Sequence, residues 1–167
     1  VFNNAVCTVS LSGEIAKGIW IGHAATGTLY VTGGTLRSDY DFRIGRLQFD
    51  WGNGTGYVYQ SGGDVSQTQT GASRLTGIGW GKGDKGYYNM SGGTLAVKGG
   101  SGLNVGINGY GEFNLSGTGA ATIDRNLWIA GSQYIYTMSG YENIYGTAAD
   151  SEGYVNHNSG TMTIKDH

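Results

Sequence analysis

A chain of 167 residues with 33 glycines, no proline and one cysteine can bury a core of its own but cannot build an internal disulfide framework. Glycine far above its usual ~7%, without proline or a three-residue period, excludes collagen, and the Tyr, Trp, Ile, Leu and Val content excludes a disordered chain. Charged residues are 13% of the chain and the net charge is −2, so no basic footprint for nucleic acid or an anionic lipid surface is present.

Most of the chain is an imperfect copy of Gly86–Val97, GYYNMSGGTLAV. Two runs that alternate apolar and polar residues flank a Ser-Gly-Gly. Alternation with period two predicts strands with one buried face, and the glycines predict a tight corner between them. Three strand types recur. Type a follows a glycine and ends at the corner, type b follows the corner, and type c reads apolar-x-apolar-Gly.

In chain order, Val6–Leu11 alternates and is read as a type b strand, with Cys7 as a small apolar member. Glu14–Lys17 is too short for a capping helix. Ile19–Gly22 is type c, Thr28–Val31 type a, Thr35-Leu36 type b, and Phe42–Gly45 type c. A long loop follows around Arg46–Thr55, carrying Trp51 and the Asn53-Gly54 turn. Tyr57–Gln60 and Asp64-Val65 are the next a and b strands, with a weak c copy at Ile78-Gly79. Then come Tyr87–Met90 (a), Thr94–Val97 (b), Leu103–Gly106 (c), Glu112–Leu115 (a) and a slipped b copy at Ala121–Ile123. Leu127–Ile129 with Gly131 is type c, and Ile135–Met138 is type a. A weak c copy lies at Ile144–Gly146, and Tyr154–His157 (a) and Thr161–Ile164 (b) close the series.

Corners spaced about 20 to 30 residues apart define coils of a repeat architecture, three strands to each. Alternation points Leu29/Val31, Val58/Gln60, Tyr88/Met90, Phe113/Leu115, Tyr136/Met138 and Val155/His157 inward. The residues between them form an outward ladder, Tyr30, Tyr59, Asn89, Asn114, Thr137 and Asn156. Like residues recurring at one corner position are what in-register parallel coils require. The fold expected is all-β: a single-domain, three-sided, right-handed parallel β-helix of about six coils, with 1–18 as an N-terminal strand and junction segment and 19–167 as the repeats.

The recurring G-x-[YF]-x-[ML]-S-G-G-T-L-x-V followed by apolar-x-[IV]-G resembles the repeats of autotransporter-type passenger domains, over roughly Ile19–Ile164. That resemblance implies a right-handed β-helix displayed on a bacterial surface. The chain begins at Val1, as expected of a mature form or a fragment. Composition (little Cys, much Tyr, Asn, Thr and Gly) fits the same extracellular or cell-surface location.

Candidate chemistry is sparse. Gly99–Asn104 resembles one calcium-binding nonapeptide but carries Asn104 where the carboxylate belongs, and occurs once, so it reads as a glycine corner. Gly77–Gly86 lacks the Gly-Lys-Ser/Thr ending of a phosphate loop. Asp39 and Asp41, with Arg37 and Arg43, are the nearest acidic pair; no third acid joins them, and Asp64, Asp84, Asp124 and Asp150 read as turn residues. His23, His157 and His167 fall at unrelated phases and make no zinc spacing. No catalytic, cofactor or metal site is assigned.

Two surfaces remain. The outward tyrosines Tyr30, Tyr57, Tyr59 and Tyr87 form a possible glycan or lateral-contact face. At the ends no helix, edge proline or charge run caps the coils, so copies are expected to stack head to tail through Val6, Val9, Leu11, Ile19, Ile21, Tyr154, Val155, Met162 and Ile164. The function expected is a structural subunit of an extracellular bacterial filament or surface assembly, a non-enzymatic homopolymer whose partner is itself. A glycan-binding adhesin fragment is the second reading and a carbohydrate-active β-helix enzyme the third.

Overall fold

Short alternating runs between glycine corners fold as strands that bury one face, and they follow one another here in a fixed order of three. The computed structural model describes residues 5–9, 13–15, 18–46, 53–68, 76–98, 102–131 and 150–165, with 5–9 and 13–15 described by backbone alone. The a strands are β1 (Ala5–Val9), β4 (Thr26–Val31), β7 (Thr55–Gln60), β10 (Lys85–Met90), β13 (Tyr110–Leu115) and β16 (Glu152–His157). The b strands are β2 (Gly13–Ile15), β5 (Thr35–Ser38), β8 (Asp64–Gln67), β11 (Thr94–Val97), β14 (Ala120–Ile123) and β17 (Thr161–Ile164). The c strands are β3 (Ile19–His23), β6 (Phe42–Arg46), β9 (Thr76–Ile78), β12 (Leu103–Val105) and β15 (Leu127–Ile129).

Each type makes its own parallel sheet, of six, six and five described strands. The chain is a three-sided parallel β-helix. Register is strict: Gly56, Gly86, Gly111 and Gly153 align in the a sheet, and Leu36, Val65, Leu95, Ala121 and Met162 align in the b sheet.

The first strand differs from the sequence reading. Ala5–Val9 pairs with Thr26–Val31 and is therefore type a, and Gly13–Ile15 supplies the b strand. The alternation in Val6–Leu11 fits either column, and no Ser-Gly-Gly precedes it to fix its phase. At the far end β16 pairs directly with β13. The expected strands at Ile135–Met138 and Ile144–Gly146 lie outside the described residues, as do the loop residues 47–52.

Inward residues of all three sheets meet along the axis. Leu29, Val58, Tyr88, Phe113, Ile44 and Leu95 are among those essentially inaccessible. Tyr88 packs edge-on against Phe42 and Phe113, with ring centroids 6.2 Å and 5.6 Å away. Its hydroxyl donates to Gln60 Oε1 at 2.7 Å, and Gln60 Nε2 donates to the carbonyls of Gly63 (3.0 Å) and Thr94 (2.9 Å). The Gln60–Tyr88 pair is thus closed without an orphaned polar atom on its side chains.

The c-to-a corner explains two glycine columns. Gly45, next to last in β6, has φ +67°, and a Cβ there would strike the carbonyl of Lys85 in β10. Gly86, on that a strand, would strike Gly79 N and Ile44 O. The two backbones approach too closely for any side chain, so the repeat carries glycine on both. In the last c strand Ala130 takes the slot of Gly106 with φ 53°, so the turn residue is Ala130 rather than Gly131.

A second small layer covers the outer face of the c sheet. Trp80 and Ile107, 7% and 1% exposed, pack over Gly77, where a Cβ would lie 3.3 Å and 3.5 Å from them. The guanidinium of Arg43 sits 4.1 Å over the Trp80 ring, and that of Arg46 sits 4.3 Å over Trp20. Asp84, fully buried, accepts a hydrogen bond from the amide of Gly54 at 2.7 Å.

Candidate functional site

Outward positions of the a strands stack in three columns. One holds Thr28, Tyr57, Tyr87, Glu112 and Tyr154; the next holds Tyr30, Tyr59, Asn89, Asn114 and Asn156; a third ends in Lys85, Tyr110 and Glu152. Parallel register brings like side chains to rung spacing, where they pair.

The tyrosines form one unbroken ribbon. Tyr30 stacks on Tyr59 (centroids 5.3 Å apart), Tyr59 lies beside Tyr57 (6.4 Å), and Tyr57 stacks on Tyr87 (4.9 Å). Tyr87 then meets Tyr110 at 5.4 Å and Tyr110 meets Tyr154 at 5.7 Å, both tilted by about 40°. The four tyrosines singled out in the sequence are together, as expected, and Tyr110 and Tyr154 extend them. Both extra members are legible as the residues immediately flanking the aligned Gly111 and Gly153. Tyr30 with Tyr59 and Tyr57 with Tyr87 lie face to face, so each of these rings has one face covered by its partner.

Beside them runs an amide ladder. Asn156 Nδ2 donates to Asn114 Oδ1 at 2.7 Å, and Asn114 Nδ2 donates to Asn89 Oδ1 at 2.9 Å and to Glu112 Oε1 at 2.7 Å. The Tyr110 hydroxyl donates to Glu112 Oε2 at 2.9 Å and the Tyr154 hydroxyl to Glu152 Oε1 at 2.7 Å. Burial, then the hydrogen bond to Glu112 and its charge, push the Tyr110 phenol up to about 12. The hydrogen bond to Glu152, its charge and burial raise Tyr154. Burial first, then the neighbouring Tyr57 and Glu112, raises Tyr87. An open groove of about 290 Å³ follows the a-to-b corner, with Tyr30, Tyr59, Asn89 and Asn114 on one wall and Thr32, Ser61, Ser91 and Ser116 on the other.

The second surface is the end formed by β15, β16 and β17. Ile129 and Ile164 are 50% and 48% exposed there, and Val155 and Met162 are half-buried. A groove of about 410 Å³ opens between Arg125, Asn126, Leu127, Trp128 and Ile164. Of the other junction residues expected, Ile19 and Ile21 are core, Tyr154 belongs to the ribbon, Val6 and Val9 lie on β1, and Leu11 is outside the described residues.

Asp39 and Asp41 do not share a strand face; they sit at the b-to-c corner between β5 and β6. Asp39 is held by Arg37 at 3.0 Å and by Thr68 at 2.7 Å, and the buried Asp41 by Arg43 at 2.7 Å. His23 is buried, 5.1 Å from the Trp20 ring, and His157 is exposed on the last a strand, its Nε2 3.3 Å from the carbonyl oxygen of Gly160. Among the described residues no three potential metal ligands converge, and no helix is long and apolar enough to cross a membrane. Comparison with protein-family models, curated proteins and solved structures finds no match to the chain.

Proposed function

We propose that the chain is a structural segment of an extracellular bacterial filament or surface assembly whose copies join by stacking solenoid ends. The observation that carries this reading is the apolar end: Ile129, Val155, Met162 and Ile164 hold positions that are core in the coils below, yet Ile129 and Ile164 are exposed and Val155 and Met162 are only half-buried. An unpaired parallel edge over an apolar cross-section is a template for another rung. A second copy fits it because β1 and β2 are the outer strands at the opposite end of the same two sheets, so a would stack on a and b on b. The c sheet has five described strands against six, and the joint must supply or leave open one rung there. Such a contact is heterologous and does not close, so it propagates as a fibre. The likeness of the repeats to autotransporter-type passenger coils supports display outside the cell.

Negative-stain electron microscopy of the purified chain is the test. Long unbranched fibres are expected, and they should vanish in Met162→Lys/Ile164→Lys while the circular dichroism spectrum is kept. Uniform small particles from the unmodified chain overturn the reading.

The corner groove favours a second reading, glycan binding. With one face of each stacked ring covered, recognition there would draw on the Tyr, Ser and Asn hydrogen-bonding groups. A glycan screen in which Tyr59→Ala loses the signal would favour it over the first.

A further inference from the structure

The geometry points to Tyr110 and Tyr154 as an oxidative cross-linking site: under one-electron oxidation their rings couple as dityrosine and staple the last a strand to the coil below. Three observations converge on this pair. The rings are 5.7 Å apart at a tilt of 42°, on adjacent strands in register. Diagonal neighbours on a sheet lie within reach of aromatic side chains. Each hydroxyl already donates to a carboxylate, Tyr110 to Glu112 and Tyr154 to Glu152. Among the described tyrosines of the ribbon, these two alone have that partner.

The carboxylates matter because a phenol cannot hold its proton once an electron has left. With the Tyr110 phenol pushed up to about 12, it is protonated at neutral pH, and oxidation has to move a proton as well as an electron. Glu112 and Glu152 lie on the hydroxyls to receive it. Each ring gives one electron to the oxidant and its phenolic proton to its carboxylate. The two tyrosyl radicals then form one carbon–carbon bond between their ortho carbons. The ortho hydrogens shift to the oxygens as the rings regain aromaticity, and the carboxylates release their protons to water. The net change is the loss of two hydrogen atoms from the pair, as two electrons and two protons, with no other atom gained or lost. The co-reactant is a one-electron oxidant, two equivalents per link.

The rest of the ribbon serves as a collector. Ring contacts from Tyr30 through Tyr59, Tyr57 and Tyr87 to Tyr110 leave no gap above 6.4 Å, so a radical formed on the exposed Tyr30 or Tyr59 has a path to the carboxylate-backed pair. The product joins residues 44 positions apart across the coil whose core is most open, where a covalent closure does most against fraying.

The test exposes the full chain to a photogenerated ruthenium(III) polypyridyl oxidant, using a mixture of light and heavy isotope-labelled chains. Proteolysis and mass spectrometry then locate the links. The expected result is one dominant linked peptide pair, Tyr110–Tyr154, light with light and heavy with heavy, together with dityrosine fluorescence. Tyr154→Phe removes that pair, and Glu152→Gln lowers its yield at neutral pH while the circular dichroism spectrum is kept. Links spread evenly over the ribbon, mixed light–heavy links in the proportion that random pairing between chains gives, or a yield indifferent to Glu152→Gln each overturn the proposal.

Discussion

At the scale of single residues the core turns on one buried polar pair. Tyr88 is fully buried and gives its hydroxyl to Gln60 Oε1, while Gln60 Nε2 ties off two corner carbonyls. Tyr88→Phe removes the donor and leaves Gln60 Oε1 in the core without a partner, at a cost of about 1–3 kcal/mol. Gln60→Leu strands the Tyr88 hydroxyl and should cost a similar amount. The double variant removes both partners, so urea denaturation should show it less destabilised than the sum of the two singles. Strict additivity would mean that the two side chains act apart.

At the scale of elements, stability beyond the core comes from ladders that cross coils. Asn114 sits in the middle of its ladder, donating downward to Asn89 and accepting from Asn156 above. Asn114→Ala breaks both cross-coil bonds and Asn156→Ala only one. The expected order of denaturation midpoints is wild type, Asn156→Ala, then Asn114→Ala, with steps near the lower end of about 0.5–1.5 kcal/mol because the ladder faces water. Equal midpoints for the two variants would show that the ladder adds nothing rung by rung. The same periodicity made most of the fold legible. Strands after a Gly and before a Ser-Gly-Gly announced their type, and the inward pairs from Leu29 to Leu115 are buried as read. Where that punctuation was missing, phase was lost: β1 has alternation but no corner in front of it. The outer packing of Ile107 and Arg43 was invisible for another reason. A c strand that is apolar at both ends shows only its inward face in the pattern, and Gly77 marks the cover by lacking a side chain. The candidate surface was legible in part: Tyr154 continues the column of Tyr57 and Tyr87, whereas Tyr110 sits in the neighbouring column and joins the ribbon only diagonally across strands.

At the scale of the whole molecule the ribbon and the core make alkali the weak side. Burial raises Tyr88, burial with the charges of Tyr57 and Glu112 raises Tyr87, and Tyr154 is raised by its bond to Glu152. Tyr110 is pushed up to about 12 by burial and by Glu112. In each case folding favours the neutral phenol. Below the unfolded value of about 10 both states keep their protons and the full stabilisation is present. Above it the unfolded chain ionises first and binds fewer protons than the folded chain, so stability falls with rising pH through the range in which the folded Tyr110 titrates, about 12. The loss should be cooperative along the sheet. One phenolate placed in a stack whose rings lie 4.9 Å to 5.7 Å apart raises the cost of ionising the next. Urea midpoints should therefore hold steady up to about pH 9 and drop steeply between about pH 10 and 12, with phenolate absorbance rising together with unfolding. Tyr110→Phe removes one raised phenol and should make the drop shallower. A midpoint that stays flat through this range while phenolate absorbance climbs would mean that the phenols ionise freely in the folded coil, and that the ribbon lies open to water rather than packed along the sheet.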